Sequence, residues 1–251
     1  NLREKIQSFA LRVLISIFTA CTIHILIMKR IYCLSFTLFI TLIVRSQVEV
    51  GLFAGPQATG ARYTILNQKQ KNEIKYGFQA GVGFKVPFEN KLFFSPAAFY
   101  SMKGYKVAFT GYAFPPDTNA KDNNTSIHTF ELAALLQFDL SDQPGHVFIK
   151  AGPSLDFHLF GKETYNLKAG GSVSRNMVFS NGDYGHFSAN MLAQIGYETG
   201  GGFMFFVQYT HGMASTSNAD GGPKIRHRAY GISFGKYLNR KKIAMDTRNK
   251  E

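Results

Sequence analysis

From residue 48 onward the chain alternates between apolar and polar positions with a period of two. Tyr76–Phe88 is the clearest stretch. Tyr76, Phe78, Ala80, Val82, Phe84, Val86 and Phe88 fall on one side; Gly77, Gln79, Gly81, Gly83, Lys85 and Pro87 fall on the other. Successive side chains leave a strand in opposite directions, so this period predicts a strand with two different faces. The pattern recurs in His128–Leu140, Val147–Leu159, Phe187–Tyr197, Gly202–His211 and Arg226–Leu238, and more weakly in Val48–Pro56 and Leu92–Lys106. That predicts eight strands. No long segment here has the period of an amphipathic helix.

Which face points inward decides the class. In a soluble sandwich the apolar face is the core. In a membrane barrel it faces lipid, and small or polar residues fill the lumen. The apolar faces carry large aromatics and the opposite faces carry glycine with single charges, as a narrow lumen requires. Most predicted strands are long enough to cross a bilayer at a tilt. The connections also alternate in length. Glu89–Lys91, Ser141–Gly145 and Thr199–Gly201 are five residues or fewer, whereas Gln57–Lys75, Val107–Ser126, Gly161–His186 and Gly212–Ile225 are 14 or more. Outer-membrane barrels segregate short periplasmic turns from long extracellular loops in this way. The fold predicted is all-β: an eight-stranded antiparallel up-and-down transmembrane β-barrel over residues 48–238. Phe88, Phe94, Tyr197, Phe203 and Tyr237 would form an aromatic girdle at the turn side, and Tyr76, Tyr105, Phe160, Phe187 and Tyr209 one at the loop side.

Residues 1–47 read differently. Leu11–Ile27 and Ile31–Val44 are mostly apolar and Met28-Lys29-Arg30 separates them. A basic start followed by about 14 apolar residues has the form of a secretory signal. Residues 28–47 are read as the signal, with Met28 as the true start and cleavage after Gln47; two short membrane helices are the alternative. Cys21 and Cys33 both lie in this leader, so the barrel has no cysteine for catalysis, disulfides or metal.

Leu92–Val107 (LFFSPAAFYSMKGYKV), Phe130–Leu140 (FELAALLQFDL), Val147–Lys162 (VFIKAGPSLDFHLFGK), Gln194–Glu198 and Tyr230–Leu238 (YGISFGKYL) resemble the PorT-like outer-membrane beta-barrel family of Bacteroidetes. The family usually has a proline before the paired leucines of the fourth strand, where this chain has Ala134. The resemblance implies an eight-strand barrel, a signal peptide and residence in a Gram-negative outer membrane. One namesake of the family is associated with a gliding and protein-secretion apparatus.

The net charge of +12 first suggests nucleic acid. Residues 1–47 carry +5 of it and the tail, residues 239–251, carries +3, which leaves +4 on the barrel. No nucleic-acid partner is therefore expected. A hydrophobic share of 45% excludes a disordered chain, and a mean hydropathy of −0.08 excludes a bundle of membrane helices.

Alternation points Lys85, Lys103, Glu131, Lys150, Asp156, Glu198 and Gln79 into the lumen. They could form an ion path. An eight-strand lumen is only wide enough for side chains, which favours a salt-bridge network that plugs it. The histidines lack metal-ligand spacing, and His158, near Asp156, reads as lumen filling. Ser126, His128 and Asp122 near the loop rim only imitate a hydrolytic set, and Gly200-Gly201-Gly202 reads as a hairpin turn. No catalytic, cofactor-binding or metal residue is assigned. The function read from the sequence is a non-enzymatic outer-membrane barrel with a structural or interaction role. An accessory of a secretion apparatus and a small-molecule or lipid-binding barrel are the alternatives. Expected partners are outer-membrane lipid and lipopolysaccharide, with proteins at the loops or at the basic tail.

Overall fold

The computed structural model describes residues 48–240. The signal read from residues 1–47 and the tail residues 241–251 lie outside the described residues. Among the described residues there is no helix. Eight long strands follow one another: β1 (Glu49–Ile65), β2 (Lys75–Glu89), β3 (Leu92–Phe94 and Ala97–Ala108), β4 (Asp122–Ala133 and Leu136–Asp139), β5 (His146–Asn166), β6 (Phe187–Glu198), β7 (Phe203–Gly212) and β8 (Lys224–Tyr237). Each pairs antiparallel with the next. β1 also pairs with β8, from Gly51 opposite Tyr237 to Thr64 opposite Lys224, and this closes the ring. Closure leaves the eight-strand ring itself without a free edge.

The breaks in β3 and β4 lie side by side. Pro96 has no N–H to give the ladder, and Ser95 N crosses the gap to donate to Leu135 O at 2.7 Å. On the next strand Gly152 meets the same irregularity. A Cβ there would lie 2.1 Å from Ala134 O and 3.0 Å from the Leu135 Cα. Backbone cannot yield at such a distance, so only glycine fits.

Through most of the wall the outward positions are large and apolar. Leu52, Phe78, Leu132, Phe138, Ile149, Ile195, Phe205, Ile232 and Phe234 are all exposed, while Gln57, Gln79, Gln137, Gln194 and Gln208 point inward and are buried. An apolar belt of this extent is a lipid-facing surface. At its edges Phe88, Phe94, Tyr197 and Phe203 on the turn side, and Tyr76, Phe160 and Phe187 on the loop side, are exposed as a girdle requires. Tyr105 and Tyr237 do not belong to it. Both are buried inside the ring, because each sits on the inward phase of its strand.

Beyond the belt, at the long-loop end, the sense of the alternation reverses. On β1 Ala61, Tyr63 and Ile65 are buried while Arg62 is exposed; on β3 Tyr105 and Val107 are buried while Lys106 is exposed; on β8 Ile225 is buried while Arg226 is exposed. This is the soluble-barrel arrangement, apolar inside and charged outside. It corrects the loop boundaries. Gln57–Lys75 is mostly strand, since β1 runs on to Ile65 and the short strands Gln68–Lys69 and Lys71–Glu73 follow. Gly161–His186 begins with the last six residues of β5 and then folds back as Ser172–Asn176. Reading these stretches for an outward apolar face hid them, because their apolar face is the inner one.

Gly152→Val should prevent closure, so that the heat-modifiable, fast-migrating folded band is lost on cold gel electrophoresis. Ala151→Val, on the adjacent outward position, should keep that band.

Candidate functional site

The lumen is a stack of layers, ordered by their positions along the strands. At the short-turn end Lys85 Nζ donates to Asp139 Oδ2 at 2.6 Å and to Glu198 Oε2 at 2.9 Å. Gln137 Nε2 donates to Asp139 at 2.6 Å and to Glu198 at 2.9 Å, and Tyr237 Oη donates to Glu198 Oε1 at 3.0 Å. Arg240 closes this layer. Its guanidinium donates to Glu49 Oε2 at 2.5 Å and to Glu198 Oε2 at 2.6 Å. The sequence puts Arg240 in the basic tail; in the structure it is the clamp between the start of β1 and the end of β6.

His146, Asp139 and Glu198 bring ligand atoms within 4.8 Å of one another, as a metal site would. Lys85 and Arg240 already occupy those carboxylate oxygens. The cluster therefore carries its own counter-charges, and its chemistry is that of an internal ion network.

Above it Phe53, Phe99, Phe148, Leu192 and Phe206 are buried. Phe53 packs edge-on against Phe99 at 5.6 Å and against Phe206 at 5.5 Å, a favoured geometry for aromatic pairs. The Lys150 ammonium lies over the Phe148 ring at 4.7 Å. A cavity of about 20 Å3 beside Lys150 is too small for a solute larger than water. Then comes an amide layer. Gln79 Nε2 donates to Ser233 Oγ at 3.0 Å, Gln208 Nε2 to Gln79 Oε1 at 3.0 Å, Gln194 Nε2 to Gln208 Oε1 at 2.9 Å, and Gln57 Nε2 to Ser101 Oγ at 2.8 Å.

The central ion cluster follows. Lys103 Nζ donates to Glu131 Oε2 at 2.9 Å and to both oxygens of Asp156 at 2.8 Å. Ser154 Oγ donates to Glu131 Oε1 at 2.5 Å and Ser188 Oγ to Asp156 Oδ2 at 3.1 Å. All three ionic side chains are buried. Each of the inward charges named from the sequence is thus inside the ring. Lys103, Glu131 and Asp156 come together in one cluster, Lys85 and Glu198 in another, and Lys150 stands over an aromatic ring. The partners that alternation did not single out are Asp139, His146, Tyr237 and Arg240. His158 is also inside, with its Nδ1 at 2.6 Å from Gly185 O. Ser126, His128 and Asp122 engage separate partners, respectively Lys75, the Tyr100 hydroxyl and Asn166.

The long-loop end is capped. Tyr63, Tyr105, Ile127, Met177, Tyr184 and Ile225 form an apolar core. A polar clasp ties the loops over it. Arg175 Nε donates to Glu163 Oε1 at 2.8 Å and its Nη2 to Pro116 O at 2.9 Å; Tyr184 Oη donates to Glu163 Oε2 at 2.7 Å and Asn123 Nδ2 to the same oxygen at 3.0 Å. Asp183 stands 3.8 Å from Arg175. Burial pushes the Asp183 carboxyl above its ordinary value; Arg175 opposes the rise and Glu163 adds to it. Burial also holds the Tyr184 hydroxyl well above its ordinary value, so it stays a donor to Glu163. This clasp was not legible in the sequence, because its members are spread over two connections and the ends of two strands, β4 and β5.

A family model described as outer membrane protein beta-barrel domain matches residues 39–218. No curated protein matches the chain. Among solved structures, the chain is similar to Ail, the attachment invasion locus protein of Yersinia pestis, in complex with the heparin analogue sucrose octasulfate. The identity is 13%, covering 75% of this chain and 97% of that one, with a TM-score of 0.40. It is similar to the outer membrane protein OprG from Pseudomonas aeruginosa at 12% identity, covering 76% and 96%, with a TM-score of 0.43. For Neisserial surface protein A the identity is 10%, the coverage 74% and 97%, and the TM-score 0.38. These likenesses are too remote to bear on function.

Removing one partner of a buried ion cluster costs roughly 3–5 kcal/mol, because the other charges stay buried and unpaired. Lys103→Met should therefore lower the midpoint of the heat-induced band shift sharply, and Lys103→Met with Glu131→Gln and Asp156→Asn should recover most of the loss. Arg175→Met should leave the barrel folded but cost the cap about 1.5–3 kcal/mol, the worth of a hydrogen bond to a charged group. Limited proteolysis should then cut the connections between β3 and β4 and between β5 and β6 faster than in the parent.

Proposed function

The chain belongs to the outer membrane protein beta-barrel domain family, and from that membership we propose that it is a non-enzymatic, non-conducting barrel acting through its extracellular end. The filled lumen carries this reading. Two ion clusters, an aromatic layer and an amide layer occupy the bore in turn, beneath a packed cap. Opening a solute path would require breaking buried charge pairs. The Lys103–Glu131–Asp156 network and its neighbours then serve as the plug of the barrel.

The cap supplies the surface for partners. Leu66, Tyr112, Val178 and Met213 are exposed on the connections at this end, outside the lipid-facing belt. Leu66 is 83% exposed and holds a φ of 46°, at the tip of the hairpin after β1. A non-glycine side chain is uncommon in that region of backbone space, and asparagine or glycine would serve the turn better. An apolar side chain kept there in water suits contact with another protein. The PorT-like motifs favour a second reading, in which that protein is part of a secretion apparatus. In it the chain acts by contact, since the bore offers no route for a polypeptide.

In planar bilayers the folded protein should give no steady conductance above baseline; a stable, large conductance overturns the plug. Cross-linking in outer membranes should yield an adduct that Leu66→Asp with Tyr112→Asp abolishes while the heat-modifiable band persists. Secretion-machinery components in that adduct would select the second reading. An adduct unchanged by the substitutions would remove the cap as the docking surface.

A further inference from the structure

Outward-facing cations gather on the wall where β1 meets β8. Arg62 and Arg226 are directly opposed across the two strands, Gly60 faces Arg228 two pairs away on the same face, and Thr64 faces Lys224 on one side and Lys69 on the other. Directly opposed like charges destabilise a sheet. Among the described residues none of these cations makes an ion pair, although other surface charges such as Lys91 and Arg175 do. Arg62, Lys69 and Arg228 line a groove of about 400 Å3 together with Lys71, Asn72 and Tyr230, and Arg226 stands outside that lining, opposite Arg62 on the neighbouring strand.

A second groove, of about 650 Å3, lies immediately toward the lipid belt. Its lining includes Tyr76, Ile195, Val207, Tyr209 and Ile232, and it shares Ala58 and Tyr230 with the first. The reason is on the strands. Ala58 lies between Tyr230 of β8 and Tyr76 of β2, so a small side chain separates two large ones. Tyr209 faces Tyr230 on the far side, with ring centroids 4.9 Å apart. The two grooves adjoin at Ala58 and Tyr230 and make a channel in two parts on the outer wall, cationic above and apolar below, with tyrosines at the join at the height of an interfacial girdle.

We propose that this channel binds one phosphorylated lipid of the surrounding outer leaflet, with its phosphate between Arg62, Arg226 and Arg228 and an acyl chain along the groove beside Ala58. The inference rests on the membrane reading above. Charge complementarity selects an anionic headgroup. The apolar groove directly beneath selects a lipid over a free anion, for which it would have no use. The opposed arginines, unfavourable in the bare sheet, become two arms of one headgroup site.

The test uses the full chain purified from membranes and first shown to be heat-modifiable; absence of a folded band would defeat the membrane reading rather than the site. Native mass spectrometry then measures retention of a bis-phosphorylated, acylated glucosamine disaccharide and of its dephosphorylated counterpart. One tightly retained phosphorylated lipid is expected, with at least tenfold lower retention of the dephosphorylated form. Arg62→Gln with Arg226→Gln and Arg228→Gln should lower retention of the phosphorylated form at least tenfold, and Ala58→Phe should also weaken it. Lys106→Gln with Lys162→Gln, elsewhere on the outer wall, should leave it unchanged. Equal retention of the two lipids, or by the triple variant and the parent, overturns the proposal. Displacement of the lipid by millimolar inorganic phosphate alone would reassign the cluster to a free anion and overturn it equally.

Discussion

Closing eight strands into a ring leaves an interior only about as wide as the side chains that fill it. The rest of the structure follows from that narrowness. Most inward charges come within reach of an opposite charge on another strand, Lys150 instead standing over the Phe148 ring, and water is too scarce there to solvate them. Lys103 reaches across to β4 and β5, and Lys85 reaches to β4 and β6. Neither ammonium could be buried alone without a cost of several kcal/mol. With the polar groups paired inside, the wall is free to present an unbroken apolar belt to lipid. The amide layer extends the same solution to uncharged groups: Gln57, Gln79, Gln194 and Gln208 satisfy one another or nearby hydroxyl groups across the bore.

Alternation made the strands and the facing of their residues legible, because a period of two reports side-chain direction directly. It named Lys85, Lys103, Glu131, Lys150, Asp156 and Glu198 as inward without any knowledge of register. It could not say which of them meet. Lys85 and Glu198 are 113 positions apart, and Glu49 and Arg240 are 191 apart. Such pairs depend on the shear of the whole ring, which no local pattern encodes. Arg240 was hidden further by its neighbours, since Arg240, Lys241 and Lys242 together read as a solvated basic tail. Tyr105 and Tyr237 were misassigned for a related reason. Aromatics near strand ends suggest a girdle, but phase along the strand outranks residue type, and both fall on the inner phase.

The two halves of the wall obey opposite rules within one hydrogen-bonded ladder. In the belt, apolar side chains point out and the polar ones are paired within. Past Tyr230 on β8 and past Phe160 on β5, lysine and arginine take the outward positions, and the inner face becomes tyrosine, isoleucine and valine. The hydrophobic effect drives both arrangements, and only the medium outside the wall differs. β5, at 21 residues, is about twice the length that a tilted strand needs to cross a bilayer. Its surplus stands in water, and a strand surplus in water needs a core of its own, which the tyrosine cap provides.

The height at which the alternation reverses therefore fixes the barrel against the membrane surface. On β1 the change falls between Ala58 and Arg62, and on β8 between Tyr230 and Arg228. Moving the barrel outward by one pair of residues would expose Tyr230 and Ile232 to water; moving it inward would drag Arg228 and Arg226 toward hydrocarbon. Either shift is unfavourable, since a lipid-facing arginine costs more the deeper it lies. The cations therefore stand at headgroup level. Their position follows from the same reversal that builds the cap, so the cap, the belt and the basic rim are set by one boundary along the strands.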